Sequence, residues 1–219
     1  VLVTAHTGSG KTLPAEFAIQ HFCQQKKKVI YTSPIKALSN QKFSEFTRKF
    51  KEDNISLGLL TGDIKINPEA DVLIMTTEIL MNYLFLQTNT DVTNVSNCQL
   101  QFQIDLHKDL GCVIFDEIHY INDQERGQTW EKTILMLPSH IPMVMLSATI
   151  DAPTKFAQWI YDRHKNKDVY VCSTDKRVVP LTHYGFLTVN EGSLKSFQDK
   201  ALIKDIKDHT NRSIQLQSS

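Results

Sequence analysis

Val1-Leu2-Val3-Thr4-Ala5-His6-Thr7-Gly8-Ser9-Gly10-Lys11-Thr12 opens the chain. Its first four residues read as a buried strand, and the loop that follows places Gly8, Gly10, Lys11 and Thr12 at phosphate-loop spacing. The next stretch, Lys11 to Gln24, repeats Ala15, Ala18, Ile19 and Phe22 on one helical face. Strand, glycine loop and helix in that order form the context this motif needs. Gly8 and Gly10 let the backbone curl and approach a phosphate, and successive N–H groups with the helix N-terminus form an anion cradle. Lys11 supplies a point charge for the β- and γ-phosphates, and Thr12 a hydroxyl ligand for Mg²⁺. Ala5 stands at the first glycine of the motif and is small enough to fit. The candidate nucleotide-binding set is therefore Ala5, His6, Thr7, Gly8, Ser9, Gly10, Lys11 and Thr12. Nothing around His6 argues for chemistry.

Outward from this loop, short β-rich runs alternate with helical patterns. Strands are expected at Val1 to Thr4, Lys28 to Thr32, Leu57 to Leu60, Asp71 to Met75, Gly111 to Phe115, Met143 to Leu146 and Asp168 to Cys172. Helices are expected at Lys11 to Gln24, Ile35 to Lys51 (with Phe43, Phe46 and Phe50 on one stripe), Thr77 to Phe85, Gln128 to Met136 and Thr154 to Trp159. The alternation implies βαβ crossovers, hence an α/β fold with a mostly parallel sheet flanked by helices. Continuous apolar runs such as Cys112-Val113-Ile114-Phe115 suit strands covered on both faces. Residues 87–108 are rich in Asn, Thr and Gln and read as an insertion, with or without a hairpin around Leu100 to Ile104. Residues 184–219 are polar apart from an amphipathic stretch at Leu194 to Ile206 and read as a linker.

The 219 residues carry 24 Lys+Arg against 24 Asp+Glu, so no bulk charge draws the chain to nucleic acid or to a membrane surface. Any nucleic-acid binding must come from a local cleft. A 41% apolar, 22% charged composition excludes a disordered tail or a disulfide miniprotein. No run approaches the roughly 18 apolar residues of a membrane span. Cys23, Cys98, Cys112 and Cys172 lie far apart, with no CxxC pair, and read as reduced, mostly buried thiols rather than a zinc site. This fits an intracellular protein, nuclear or cytoplasmic. Lys26-Lys27-Lys28 reads as a solvated turn, and Trp130 and Trp159 as core residues.

Cys112 to Phe115 ends in Asp116-Glu117-Ile118-His119. Carboxylates at the C-terminal end of a parallel strand lie beside the phosphate loop in such a sheet. Asp116 would hold Mg²⁺, Glu117 would orient the attacking water, and His119 could bond across to the next strand. Leu146-Ser147-Ala148-Thr149 ends that next strand, with hydroxyls placed to contact His119 or the Asp116-Glu117 loop.

These motifs in this order resemble the DExH-box helicases of superfamily two, and more closely the exosome-associated RNA helicases of the superkiller and nuclear exosome-cofactor type. The phrases that carry the resemblance are Ala5 to Thr12, Tyr31 to Phe43, Thr76 to Leu80, Val113 to Tyr120, Glu125-Arg126-Gly127 with Trp130-Glu131, Leu146 to Thr149 and Arg177 to Tyr184. The likeness covers nearly the whole chain. It implies a P-loop NTPase of RecA-like architecture, with residues 1–183 as the first RecA-like domain and 184–219 leading towards a second. It also implies ATP and Mg²⁺ as cofactors, single-stranded RNA as track, 3′ to 5′ movement, and an exosome-like or other RNA-processing complex as partner. Catalytic roles fall on Glu117, Lys11, Asp116 and His119, metal binding on Thr12 and Asp116, and coupling on Ser147, Ala148 and Thr149. RNA contacts fall on Pro34, Lys36, Asn40, Gln41, Thr61, Gly62, Asp63, Thr76, Thr77 and Glu78. Helix capping by Ser33, Asp63 and Thr77 is the plainer reading of the same segments and is compatible with phosphate contact.

Two other readings remain open: a DNA helicase or translocase of the related repair branch, and a catalytically silent RNA-binding module. The family also carries strands ahead of the phosphate loop that help hold adenine, and a second domain with an arginine-rich motif. A chain opening inside its first strand reads as a fragment. None of Arg48, Arg126, Arg163, Arg177 and Arg212 sits in a Gln-x-x-Gly-Arg pattern. The chain alone is therefore expected to be weakly active or inactive.

Overall fold

A computed structural model describes residues 1–6, 8–88, 102, 104–148, 150, 152–164, 167–174, 180 and 182. The chain divides into two compact units, Val1–Val178 and Val179–Ser219. Pro180 and Thr182 are the only described residues of the second. The amphipathic stretch at Leu194 to Ile206 lies outside the described residues, as do Thr7, Thr149 and most of the 87–108 insertion.

Among the described residues of the first unit, eight strands form one sheet: β1 (Leu2–Ala5), β2 (Lys28–Ser33), β3 (Leu57–Leu60), β4 (Lys65–Ile66), β5 (Val72–Thr76), β6 (Leu110–Phe115), β7 (Met143–Ser147) and β8 (Val171–Thr174). Their order across the sheet is β4-β3-β5-β2-β6-β7-β1-β8. Every pairing is parallel except β3 with β4. The helices are α1 (Leu13–Gln24), α2 (Lys36–Lys49), α3 (Thr77–Thr88), α4 (Gly127–Met136) and α5 (Pro153–Arg163). This is the RecA-like α/β sheet that the motif order implies.

The apolar strand runs bury both faces of the sheet. One core gathers Ile30, Leu73, Met75, Leu80, Val113, Phe115, Trp130 and Ile134. The opposite core gathers Ala15, Ile19, Tyr31, Phe46, Phe50, Ile74 and Ile114. Alternate residues of one strand serve opposite cores, as Ile30 and Tyr31 do, because strand side chains point alternately up and down. Burying Phe46 and Phe50, both about 1% exposed, contributes roughly 1.5–3 kcal/mol each. That burial fixes α2 on the sheet.

Several boundaries differ from the sequence reading. Lys11 and Thr12 belong to the turn, so α1 begins at Leu13, with Pro14 in its first turn where its missing N–H costs nothing. α3 runs on to Thr88, into the start of the expected insertion, and α5 runs to Arg163. β8 begins at Val171 rather than Asp168, because pairing starts where Leu2 of β1 meets it. The two-residue β4 and the 3₁₀ turn at Ile118–Asn122 are too short to leave a periodic signal. The lysine turn is tied down rather than merely solvated. Lys27 donates to the Lys108 carbonyl, and Lys28 donates to the Glu69 carbonyl at 2.8 Å. Of the described cysteines, Cys112 is buried and Cys23 half-buried, but Cys172 is exposed on edge strand β8, and all three are free. Trp130 is fully buried. The described residues hold no cluster of three metal-ligating side chains of the His, Cys, Asp and Glu type. No described helix is long and apolar enough to cross a membrane.

Candidate active site

Parallel strands bring their C-terminal ends to one edge of a sheet, and ligands of open α/β sheets bind there. Ala5, Ser33, Leu60, Thr76, Phe115 and Ser147 end β1, β2, β3, β5, β6 and β7. The phosphate loop, the Asp116-Glu117 turn, Ala148 and the segments at Pro34, Thr61 and Thr77 each begin at or just after one of these residues.

The phosphate loop leaves β1 at Ala5. Gly8 and Gly10 both lie at positive φ, 82° and 83°, a conformation that disfavours any side chain. The Ser9 N–H and hydroxyl both donate to the His6 carbonyl, at 3.2 and 2.5 Å, which closes the turn. The Leu13 N–H then bonds to Gly10 O at 3.0 Å and starts α1. Lys11 and Thr12 stand half-buried at the mouth of that helix.

β6 is not next to β1; β7 lies between them. The Asp116-Glu117 turn nevertheless reaches the phosphate loop. Glu117 takes a left-handed backbone (φ 50°, ψ 48°), and its Oε2 lies 3.7 Å from Lys11 Nζ and 3.3 Å from His119 Nδ1. Lys11 Nζ, Glu117 Oε2 and His119 Nδ1 are all cut off from solvent and make no hydrogen bond. Buried polar atoms are nearly always satisfied, so these three, whose contacts are the 3.7 and 3.3 Å approaches to Glu117 Oε2, have hydrogen-bonding capacity left for a ligand. The expected bond from His119 across to β7 is not made through Nδ1. Its ring faces Glu117 of its own turn. Ser147 Oγ is fully buried without a hydrogen-bond partner, and Ala148 is half-buried.

Asp116 is 8% exposed, and both its oxygens are engaged. Oδ1 accepts from the Glu117 N–H at 2.9 Å, and Oδ2 accepts from the Tyr31 hydroxyl at 2.6 Å. Burial, reinforced by the Asp116 charge, holds the Tyr31 hydroxyl well above its usual pKa, so it stays a donor. Lys42 of α2 donates to Thr12 Oγ1 at 3.4 Å and to Glu45 Oε2 at 2.9 Å. Hydrogen bonds from Lys42, then Gln41, lower the Glu45 pKa. Sequence reasoning assigned no role to Tyr31 or Lys42. Both lie inside the Tyr31 to Phe43 phrase, but their partners are 85 and 30 residues away, and no local pattern reveals such pairs.

The segments expected to meet RNA adjoin one another, since β3, β5 and β2 are neighbours. Lys36 Nζ donates to Asp63 Oδ2 at 2.6 Å, and a Cβ on Gly62 would come within 3.3 Å of that ammonium. Thr61 is buried and accepts the Ile64 N–H at 3.2 Å. Thr76 and Thr77 are buried, and Thr77 Oγ1 donates to Ser33 O at 3.5 Å. Glu78 is half-buried, Pro34 is buried, and Asn40 and Gln41 are exposed. The capping reading does not hold for Ser33, whose Oγ bonds to Ser39 Oγ at 2.7 Å while Ile35 caps α2 with no side-chain bond. Away from this edge, a cavity of 840 Å³ lies against Phe17, Phe22, Met145 and Val169 and holds none of the candidate residues.

A phosphate loop facing an Asp-Glu turn across a RecA-like sheet defines a P-loop nucleotide-binding domain. The chain belongs to the DEAD/DEAH box helicase family, whose model matches residues 1–156. It is 50% identical over 181 residues to the antiviral helicase SKI2 of Saccharomyces cerevisiae, covering 83% of this chain and 13% of that protein. It is 48% identical over 186 residues to superkiller complex protein 2 of Homo sapiens, covering 85% and 13%. With the exosome RNA helicase MTR4 of Homo sapiens it shares 45% over 192 residues, covering 88% and 16%. The chain thus spans under a fifth of the length of these relatives.

Proposed function

We propose that residues 1–183 form the first RecA-like, ATP-binding domain of an ATP-dependent RNA helicase that moves 3′ to 5′ on single-stranded RNA in RNA processing or decay. Residues 184–219 then lead to a second RecA-like domain. The observation that carries this reading is the trio of buried, unsatisfied groups on Lys11, Glu117 and His119, beside Thr12 and Asp116. These residues fit Mg-ATP. The left-handed Gly8 and Gly10 leave space where a side chain would intrude, and no described atom lies within 4 Å of where a Cβ would stand.

In this reading, Lys11 exchanges its contact with Glu117 for the β- and γ-phosphates. Thr12 and Asp116 offer the oxygens that hold Mg²⁺, which supplies positive charge against the phosphate oxygens. Glu117, freed from Lys11, orients the attacking water and draws its proton, and His119 holds the Glu117 carboxylate in place. Pro34, Lys36, Asn40, Gln41, Thr61, Gly62, Asp63, Thr76, Thr77 and Glu78 form the RNA edge. Ser147, Ala148 and Thr149 couple that edge to the Glu117 turn. Lys36 is neutralised by Asp63 in the free chain, so an RNA phosphate must compete with that carboxylate. The superkiller and exosome names of the relatives support an exosome-like or other RNA-processing complex as partner.

The test is ATP hydrolysis by the full-length protein with single-stranded RNA, single-stranded DNA or neither, beside Glu117→Gln. RNA stimulation is expected, with a loss of about 10²-fold or more in Glu117→Gln, the usual worth of a general base. Equal stimulation by DNA would transfer the reading to a repair-type translocase. No hydrolysis at all would leave a silent binding module.

A further inference from the structure

The two oxygens assigned to metal binding come from different elements: Thr12 from the mouth of α1, Asp116 from the end of β6. One further unit touches both. Tyr31 of β2 donates to Asp116 Oδ2 at 2.6 Å, and Lys42 of α2 donates to Thr12 Oγ1 at 3.4 Å. The two are joined by Phe46. Its ring meets the Tyr31 ring edge-on at 5.3 Å, and Lys42 Nζ lies 5.9 Å above it. Tyr31 and Phe46 are fully buried, so this strip has little room to move.

The two contacts act on a cation with opposite signs. The Tyr31 O–H donor has no net charge and fixes the plane of the Asp116 carboxylate, whose other oxygen is held by the Glu117 N–H at 2.9 Å. A carboxylate held in one orientation loses less freedom on binding a cation. The Lys42 ammonium is a positive charge set against an oxygen that Mg²⁺ would use, so it opposes the metal. Glu45 Oε2, at 2.9 Å, offers Lys42 an alternative partner.

We propose that Tyr31 and Lys42 are positioning residues for the metal site, Tyr31 favouring Mg²⁺ by orienting Asp116 and Lys42 opposing it by occupying Thr12. This rests on the reading of the site as one for Mg-nucleotide.

The readout is equilibrium affinity for a fluorescent ADP analogue in the full-length protein, with Mg²⁺ and with EDTA. The ratio of the two affinities measures the metal's contribution. Tyr31→Phe keeps the ring against Phe46 and removes one hydrogen bond to a carboxylate, so the ratio is expected to fall about five- to tenfold. Lys42→Met keeps the apolar stem over Phe46 and removes the charge, so the ratio is expected to rise about twofold or more. Lys42→Arg restores the charge, and its ratio is expected to return to within about twofold of wild type. General loosening of the site would move the ratio in the same direction for Tyr31→Phe and Lys42→Met. That result, or ratios unmoved while wild type shows strong Mg²⁺ dependence, overturns the positioning roles and leaves the nucleotide site standing. If wild type itself binds no ADP analogue, the reading of the site falls first and this inference with it.

Discussion

Lys11, Thr12, Asp116 and Glu117 are legible in the sequence because each sits at a fixed offset in a motif whose chemistry demands that residue type. Tyr31 is not. It is one more apolar-looking position in a strand, and only the register of β2 against β6 brings its hydroxyl to Asp116. The cysteines show the same limit. Spacing says they form no motif, but says nothing of their individual surroundings. Burial pushes the Cys112 thiol up to about 12, and burial aided by the Asp71 charge does the same for Cys23. Cys172 is exposed. The thiolate is the nucleophile, so at pH 8 a thiol of pKa about 12 is only about 10⁻⁴ ionised. In native protein at pH 8, site-resolved mass spectrometry with iodoacetamide should find Cys172 modified at least about tenfold faster than Cys112 or Cys23. Equal rates would mean that the β6 and α1 environments open readily.

At the scale of elements, the alternation of strands and helices is readable because each repeats long enough to show its period. The 3₁₀ turn at Ile118–Asn122 and the start of α4 are not, since they are set by close backbone packing. Gly127 opens α4, and a Cβ there would lie 2.2 Å from the Ile121 carbonyl oxygen and 3.0 Å from its carbon. Both are backbone atoms and cannot rotate away. Gly127 N–H also bonds to Asp123 O at 2.9 Å, so the turn is held from two sides. Gly127→Ala is expected to destabilise the protein by about 1–3 kcal/mol, the usual cost of overpacking a tight site. Urea unfolding measures this. The same substitution should lower ATPase activity, because the displaced turn also carries His119 and adjoins Glu117. A stability change under about 0.5 kcal/mol would show that the turn yields without strain. The Glu125-Arg126-Gly127 phrase reads as a family signature in the sequence, and the structure supplies a physical reason for its glycine.

For the whole molecule, charge balance is the relevant fact. With 24 basic and 24 acidic residues, long-range attraction to polyanions is weak, and function must rest on local geometry. Beside the phosphate loop that geometry supplies the ammonium groups of Lys11, 3.7 Å from Glu117, and Lys42, 3.4 Å from Thr12 Oγ1. Arg48 and Arg163 lie in the last turns of α2 and α5, at the ends remote from those helices' starts, and Arg126 precedes α4. Among the described arginines, none pairs with Glu117 or Asp116. Phosphoryl transfer spreads negative charge over the γ-phosphate oxygens, and an arginine placed there is worth roughly 10³–10⁵ in rate. The 219-residue chain by itself is therefore expected to bind Mg-ATP but to turn it over about 10³-fold or more below the full-length protein with RNA. It should also fail to unwind a duplex. Single-turnover hydrolysis of labelled ATP by the chain alone, beside its Lys11→Ala variant as the background, decides this. Turnover near that of the full-length protein would mean that this domain completes its own transition-state charge, and the source of that charge would have to be sought within its own residues.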